Sequence, residues 1–399
     1  MPLSGFIRFF MLFCIWAGFC KSTLPAQNGT LTREAAVEAT LQRHASVKAA
    51  SFEVKAKQQG RKAALQLANP EMNVESPTGE FYALGIMQRF EAPAVYARRK
   101  QLAGANTLLA QKALLLTENA VRRSVRLLFL EAQTAGAEYA FWKQRDSVYQ
   151  RIAATARRQF EGGEIDFVQQ TLAEQEADNV HQERRMAEKT AISLKEQLAL
   201  YTGLSAASAL ESFRADTTLP VFETILNGQN NPAVLYEQQA AEVAKSQTAL
   251  AKSSALPDFA IGYLNQGPLN TPLLYRFRAG LGIPLWAGQY RAGVRSAQME
   301  GAAATARAEA QMQITAQEMQ SARNAAENAA AMLRYYQRTA LPRSQTLIAA
   351  ALRLREAGQT DYVVFLRTLA DAYAVQRSYI AQLSALEQAR IELLYLTGQ

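Results

Sequence analysis

The sequence is poor in the side chains that build disulfides and metal centres. Its 399 residues include two cysteines and two histidines. Cys14 and Cys20 both lie within the first 26 residues, so the rest of the chain has no thiol for a disulfide. His44 and His181 are far apart in sequence, and neither has a second histidine one helical turn away. Because metal ligands normally cluster at defined spacing, we predict no metal site.

Catalytic and nucleotide-binding motifs are also missing. The chain has no Gly-x-x-x-x-Gly-Lys-[Ser/Thr] sequence, no nucleophile elbow and no carboxylate pair that indicates acid–base chemistry. The formal net charge is +8, but the basic residues are dispersed among acidic ones instead of forming a block. We therefore predict a protein that is not an enzyme, needs no cofactor and does not bind nucleic acid.

Residues 1–26 are predicted to be a secretory signal peptide. A single basic residue, Arg8, precedes an apolar run over 9–19, and small residues follow up to Ala26. This run is too short to span a bilayer as a permanent helix. We expect export with cleavage near Ala26. The alternative is lipidation at Cys20, although Phe19 directly before it is bulky for such a cleavage site.

The chain repeats part of its own sequence. Two short motifs recur 195 positions further on: a Gly-x-x-Asp turn, at Gly163 and Asp166 and again at Gly358 and Asp361, and a Thr-Gly pair, at 202–203 and again at 397–398. Upstream, 69–72 matches 256–259 at a shift of only 187 positions. The difference of eight predicts an insertion in a loop, because loops tolerate lengthening. We predict two structural repeats, 27–205 and 206–399.

Six segments have the composition of helices, rich in Ala, Glu, Gln, Lys and Arg. They are 32–68, 94–160, 166–201, 233–255, 288–356 and 361–396. The second and the fifth would each be roughly 100 Å long at 1.5 Å per residue. Pro342 is expected to interrupt the fifth, because proline forfeits a helical hydrogen bond. Helices of this length must pack side by side as coiled coils or line a tube.

Two segments, about 71–90 and about 258–285, alternate apolar with small or polar residues and are predicted to be β-hairpins. Strands of roughly nine to eleven residues with one apolar face suit a tilted membrane crossing. A half-buried soluble sheet has the same alternation and stays the alternative. Four strands cannot close a barrel, so several copies would have to share one. The side chains predicted to line its pore are Asn73, Glu75, Arg276 and Arg278.

In this order, the features resemble the TolC-type outer-membrane efflux factors over essentially the whole chain after residue 26. The motifs that carry the resemblance are Leu-Thr-Arg-Glu-Ala-Ala at 31–36, Asn-Pro-Glu at 69–71, Gln-Arg-Phe-Glu-Ala-Pro at 88–93 and Leu-Gly-Ile-Pro-Leu-Trp at 281–286. The Phe-Glu-x-Pro exit resembles the CzcC-like heavy-metal branch. The chain departs from that branch at 94–96, where Ala-Val-Tyr replaces a Gly-Lys-Arg-like run.

The resemblance implies a mainly α-helical chain with four transmembrane β-strands, which forms a homotrimer with a 12-stranded barrel and a long helical tunnel. It implies an outer-membrane channel that extends into the periplasm and exports small molecules or metal ions. A periplasmic adaptor would join it to an inner-membrane pump. The turns near 161–166 and 356–361 would form the tip, with Gly163, Asp166, Gly358 and Asp361 contacting the adaptor. The alternative is a periplasmic coiled-coil structural or adaptor protein.

Overall fold

The computed structural model describes residues 30–76, 83–206, 208–213, 230–265 and 272–399. The predicted signal peptide and most of both predicted β-turns lie outside these ranges. Helices dominate the described residues, and none of them has both the length and the hydropathy of a membrane span.

The two halves of the chain have the same order of elements. The first contains α1 (Arg33–Arg43), α2 (Ala45–Ala63), β1 (Glu71–Glu75), β2 (Ala83–Phe90), α3 (Pro93–Glu161) and α4 (Phe167–Thr202). The second contains α5 (Pro232–Ser253), β3 (Asp258–Leu264), a 3₁₀ turn (Leu273–Arg276), β4 (Phe277–Gly282), α6 (Ala287–Tyr335), a π-helical turn (Tyr336–Ala340), α7 (Leu341–Glu356) and α8 (Tyr362–Thr397).

The prediction of one continuous helix over 32–68 is wrong in two respects, because a break divides it and because α2 ends at Ala63. The chain leaves the helical conformation at His44, where ψ is 127°, and this residue separates α1 from α2. The physical reason lies in packing: Ala36 and Val37 of α1 are buried in a cluster with Phe129 of α3 and Leu198 of α4. The chain changes direction after α1, and α2 then packs against α3.

The predicted interruption at Pro342 is confirmed. α6 ends at Tyr335, and Pro342 lies in the first turn of α7, directly after the π-helical turn. Proline has no N–H to donate to the carbonyl four residues earlier, and a widened turn accommodates this loss. At the equivalent position 195 residues earlier the chain has Ser147, and α3 continues through it without a break.

The four strands form one antiparallel sheet in the order β1-β2-β3-β4, so β2 and β3 join the two halves. The two hairpins have equivalent registers. Glu71 pairs with Met87 in the first, and Asp258, 187 positions after Glu71, pairs with Gly282, 195 positions after Met87, in the second. The eight additional residues of the second hairpin therefore lie in the segment between β3 and β4.

The strands are shorter than the nine to eleven residues predicted from sequence. Counted over the described part of the chain, they contain 5, 8, 7 and 6 residues in chain order. β4 is short because the four residues before it form the 3₁₀ turn, which is closed by a hydrogen bond from Tyr275 N to Pro272 O of 3.1 Å.

A four-helix core lies near the turns that connect α3 to α4 and α7 to α8. Its fully buried residues include Ala156 of α3, Ala173 of α4 and Leu369 of α8, and Ala351 of α7 packs with them. Small alanine side chains allow the helix backbones to approach closely, and the larger side chains fill the space between them.

An arginine is enclosed by aromatic rings in this core. The Arg145 guanidinium lies 5.1, 5.0 and 5.3 Å from the ring centroids of Trp142, Tyr149 and Tyr373. Such contacts stabilise a cation that has lost part of its water. Burial raises the pKa of the Tyr149 hydroxyl, with a smaller opposing effect from Arg145, so this ring stays neutral at physiological pH.

Leu369 lies at the centre of this core and is fully buried. Leu369→Ala is expected to lower the free energy of unfolding by about 2–5 kcal/mol, because the transfer free energy is lost and a cavity remains. Leu200→Ala is the matched control, since Leu200 is 84% exposed in the single chain. Urea unfolding followed by circular dichroism measures both. Equal losses for the two variants would contradict this description of the core.

Candidate functional site

One face of the sheet is apolar and uncovered. Its exposed side chains are Met72, Val74, Leu84, Ile86, Phe259, Ile261, Phe277 and Leu281, each at least 46% exposed. Cross-strand pairing brings them together: Val74 lies opposite Leu84, and Phe259 lies opposite Leu281. Contiguous apolar surface of this kind marks a contact with lipid or with another protein.

The other face of the sheet carries mostly small and polar side chains, together with Met87 and Leu264. Asn73 lies opposite Gly85, and Gly262 lies opposite Arg278. A Cβ atom on Gly85 would stand 2.7 Å from Leu264 Cδ1, and one on Gly262 would stand 3.0 Å from a backbone oxygen of β2. A side chain at either glycine would require its neighbour to shift, so both positions favour glycine.

Two ion pairs lie on the polar face. Arg89 Nε is 3.5 Å from Glu71 Oε1, and Arg278 Nη1 is 3.3 Å from Glu75 Oε1. Glu75 and Arg278 belong to β1 and β4, the two outermost strands. Their contact shows that the sheet is curved, with the polar face on the inside. The structure thus places Asn73, Glu75 and Arg278 on one concave face, and their role in a pore stays a prediction.

Arg276 lies outside the strand in which the sequence placed it. It is the last residue of the 3₁₀ turn, and β4 begins only at Phe277. Its guanidinium donates to the side-chain oxygen of Asn265 and lies 3.5 Å from the hydroxyl of Tyr263. Arg276 is predicted among the side chains of the barrel strands, and in the structure it instead links this turn to the end of β3.

The two Gly-x-x-Asp turns have the same backbone geometry. Gly163 and Gly358 have φ of +75° and +68°. The residue after each glycine donates its N–H to a carbonyl five residues earlier, from Glu164 to Gln159 at 2.8 Å and from the equivalent residue after Gly358 at 2.9 Å. This is the Schellman arrangement, which ends a helix with a residue in the left-handed region.

The aspartates of these turns are N-caps. The Asp166 carboxylate accepts a hydrogen bond from Gln169 N at 2.8 Å, and the Asp361 carboxylate accepts from Val363 N at 2.8 Å. The sequence placed both aspartates inside the first helical turn, and the structure places them one residue earlier. As caps, they satisfy N–H groups that a helix start leaves without partners and favour its positive end.

The structure brings the two turns to the same end of the molecule. Arg355, just before the second turn, donates to the Gln159 side chain at 2.8 Å. The Tyr362 hydroxyl, just after the second turn, donates to the carbonyl of Ile152 at 3.4 Å. Burial raises the pKa of this hydroxyl, although the nearby Arg355 acts in the opposite direction, so it remains a donor at neutral pH. These contacts tie the two helical hairpins together.

The side chains of the two turns differ, even though their backbones match. The shift of 195 equates Phe160 with Arg355 and Phe167 with Tyr362. Phe160 and Phe167 form an edge-to-face pair, and Phe167 is 67% exposed. Tyr362 is 2% exposed, and the Arg355 guanidinium lies 4.2 Å from its ring centroid. The sequence reasoning missed this difference, although a position-by-position comparison of the two motifs contains it.

No group of three or more His, Cys, Asp or Glu side chains within the described ranges is placed to hold a metal ion. His181 Nδ1 lies 3.3 Å from an oxygen of Asp146, and the same oxygen is 2.9 Å from Arg184 Nε. His44 Nδ1 lies 2.6 Å from the Ser46 hydroxyl. Both histidines therefore have ordinary hydrogen-bond partners.

Comparison with known proteins gives matches at the level of structure. No protein-family model matches the chain, and no curated protein matches its sequence. Crystal structures of CusC, which concern folding and transmembrane channel formation, match with a TM-score of 0.77 at 14% identity, over 92% of this chain and 91% of that one. The outer-membrane protein VceC from Vibrio cholerae matches with a TM-score of 0.76 at 15% identity, over 92% of this chain and 96% of that one.

The chain has the fold of an outer-membrane channel. The outer-membrane channel OprN gives a similar result, with a TM-score of 0.78 at 12% identity, over 92% of this chain and 89% of that one. The channel fold therefore extends over nearly all of the chain. The resemblance to TolC-type proteins is confirmed at the level of the fold. Membership of the CzcC-like branch stays a prediction.

The turn glycines provide a test of the local geometry. A Cβ atom on Gly163 would meet no atom within 4 Å, so only its positive φ opposes substitution. Gly163→Ala is expected to destabilise the turn by about 1–2 kcal/mol. Gly162→Ala is the matched control, because Gly162 has φ of −83°. Hydrogen exchange of the turn amides should become faster in the first variant only. Equal exchange in both variants would contradict the assigned geometry.

Proposed function

We propose that this chain is the outer-membrane channel component of a tripartite efflux system. It is a passive conduit for small molecules or metal ions, from the periplasm and an inner-membrane pump to the outside. The observation that carries the proposal is the curved sheet, with large apolar side chains uncovered on its convex face and polar side chains on its concave face. Lipid outside and water inside require this distribution. The likeness to solved outer-membrane channels supports it.

The functional unit in this proposal is a homotrimer. The sheet has β1 and β4 at its two edges, and among the described strands each of them pairs on one side only. Open sheet edges are not tolerated in lipid, because unsatisfied backbone groups there are costly. Three copies with four strands each would close a 12-stranded barrel, and the long helices would continue it as a tunnel into the periplasm.

The paired turns are the proposed docking end for a periplasmic adaptor, with Gly163, Asp166, Gly358 and Asp361 holding the contact loops in shape. Exposed apolar side chains around them support a protein contact. They are Phe160, Phe167, Val168, Val363 and Val364. Export would be powered by an inner-membrane pump, since the chain has no nucleotide-binding motif of its own.

The alternative, a periplasmic coiled-coil structural or adaptor protein, accounts less well for the sheet. Such a protein works in water and would have to cover the apolar face. In this chain Met72 is 73% exposed and Val74 is 65% exposed, and described helices pack on neither. The channel proposal assigns this surface to lipid.

Adjacent residues of β1 test which face meets lipid. Val74→Lys puts a charge on the apolar face. A lysine that faces lipid near the bilayer centre lowers the stability of a barrel by about 2–4 kcal/mol, so this variant is expected to be destabilised. Asn73→Lys puts the same charge on the polar face and is expected to be tolerated. Membrane fractionation and an unheated gel measure the heat-sensitive trimer in the outer membrane.

We expect wild type and Asn73→Lys to give this trimer and Val74→Lys to lose most of it. A wild-type chain that fractionates as a soluble periplasmic monomer would overturn the channel proposal. Equal assembly of both lysine variants would contradict the assignment of the faces.

The docking end can be tested at Gly358, where an added Cβ atom would meet no atom within 4 Å. A bulky side chain there would project from the tip into the space that an adaptor occupies. Gly358→Trp is therefore expected to abolish efflux while the trimer persists. Gly358→Ala is the matched control, because it introduces the same φ strain without the bulk and should keep most of the efflux. Resistance assays in a strain that depends on this channel provide the measurement. Full resistance with the tryptophan variant would contradict adaptor docking at this turn.

A further inference from the structure

The duplication inside the chain contains information about the contact between chains. In the sheet, β2 of the first half pairs with β3 of the second half. If copies share one barrel, β4 at the end of one copy meets β1 at the start of the next. That junction joins the end of a second half to the start of a first half, so it is the counterpart of the β2–β3 junction.

The correspondence between the halves holds to the residue within the sheet. The shifts of 187 and 195 positions convert the Glu71–Met87 pair of the first hairpin into the Asp258–Gly282 pair of the second. The same shifts can therefore be applied to the β2–β3 junction, in which Gln88 pairs with Ile261. Position 88 becomes 283 in the second half, and position 261 becomes 74 in the first.

We propose that the chain at the end of β4 in one copy pairs with β1 of the next copy, in the register that sets Ile283, the first residue after β4, opposite Val74. In this register, Leu281 lies opposite Ser76, as Ile86 lies opposite Tyr263 within the chain. The proposal rests on the proposed channel function and specifies its interface between chains. Because the four strands alternate in direction, β4 of one copy and β1 of the next run antiparallel. All neighbouring strands in the ring would therefore be antiparallel.

The register keeps the two faces of the sheet continuous across the junction. Val74, Leu281 and Ile283 are 65%, 57% and 60% exposed, and all three belong to the apolar side. A slip of one residue would turn the apolar side chains of one strand to the polar face, which excludes odd slips. Slips of two or four residues preserve the faces, and an experiment must separate them from the proposed register.

A contact between helices can be converted into a contact between copies by the same two shifts. Gln239 of α5 donates to the carbonyl of Ala105 of α3 at 3.2 Å, which is a contact between the two halves. The shifts convert these positions into Phe52 of α2 and Glu300 of α6 in neighbouring copies. Phe52 is 64% exposed in the single chain. The proposed interface gives this apolar ring a partner surface, in the same place relative to the fold as the internal contact.

The ion pair between Arg278 and Glu75 defines the competing register. If it formed between copies, the strands would be offset by four residues, and Ala279 would lie opposite Val74. In the proposed register Glu75 lies opposite Gly282 of the neighbour, and the neighbour's Arg278 is roughly 13 Å further along the strand. In the proposed register, the ion pair between Arg278 and Glu75 therefore forms within each chain and not between chains.

Disulfide cross-linking distinguishes the registers. Three double variants share Val74→Cys and add Ile283→Cys, Leu281→Cys or Ala279→Cys. Directly opposite residues have Cα atoms about 4.5–5.5 Å apart, which is within the range that a disulfide requires. After oxidation with copper phenanthroline, the Ile283→Cys combination is expected to give covalent trimer as the main species on a non-reducing gel. The other two combinations should give it in at least about fivefold lower yield.

Wild type is the first control, because its two cysteines lie in the predicted signal peptide. The pair Ser76→Cys and Leu281→Cys tests the same register at a second point, should the first pair fail to assemble. Amine cross-linking of each variant in outer-membrane fractions reports the trimer independently of the cysteines.

Main cross-linking by the Leu281→Cys or Ala279→Cys combination would overturn the register. So would an amine-cross-linked trimer in which neither pair of the proposed register forms a disulfide. If wild type shows no oligomer in the outer-membrane fraction, the channel proposal itself has failed.

Discussion

The constraint on which this structure depends is the need to pair the backbone N–H and C=O groups along the two edges of the sheet. In hydrocarbon, each unsatisfied group costs several kcal/mol, and water is not there to replace the lost partner. Among the described residues, the sheet has an exposed apolar face, and its edge strands β1 and β4 pair on one side only. In the proposed channel, four strands are too few to close on themselves, and further copies of the chain would complete the sheet. In that proposal, assembly would satisfy the backbone as much as the side chains.

The helices connect this sheet to the paired turns. α3 begins three residues after β2 and contains 69 residues, which corresponds to roughly 100 Å. A helix of this length cannot be buried in one globular core, and its stability comes from packing along its sides. The buried alanines and the aromatic core near the turns provide this packing. α3 therefore holds the end of β2 and the first Gly-x-x-Asp turn at a fixed distance from each other.

In the proposed ring, the duplication would let one chain serve as both sides of the interface between copies. The two halves differ where a side chain needs a specific neighbour: Tyr362 is buried beneath Arg355, whereas its counterpart Phe167 is exposed. They agree where the backbone sets the geometry, as in the positive φ of Gly163 and Gly358. A ring of copies would therefore alternate two kinds of turn on one common backbone.

Local chemistry determined what could be predicted from the sequence. The bounds of α3 and α4 were predicted within one residue, because Gly163 and Asp166 act on their own neighbours. The two faces of the sheet were predictable from the alternation of apolar and polar residues. The break at His44 was not, because it depends on the packing of α1 against α3 and α4. The contact of Arg278 with Glu75 depends on the curvature of the sheet, which brings together residues 203 positions apart.

For the candidate site, the alternation in the sequence placed Asn73, Glu75 and Arg278 on the polar face, where the structure also has them. It placed Arg276 in a strand as well, but β4 begins only at the next residue. The 3₁₀ turn that holds Arg276 forms with Pro272 and with Asn265 on the other side of the hairpin, and no local pattern marks it. The turn residues were found through the repeat. The different exposure of the side chains at the two turns could not be predicted, because exposure depends on packing against the neighbouring helical hairpin.

Electron cryomicroscopy of the protein extracted from the outer membrane would count the strands in the ring. We expect a threefold particle whose barrel contains twelve strands, with each β4 paired to the β1 of the next copy. A monomeric particle, or a ring in which the edges of β1 and β4 remain unpaired, would contradict the claim that copies of this chain complete one another's sheet.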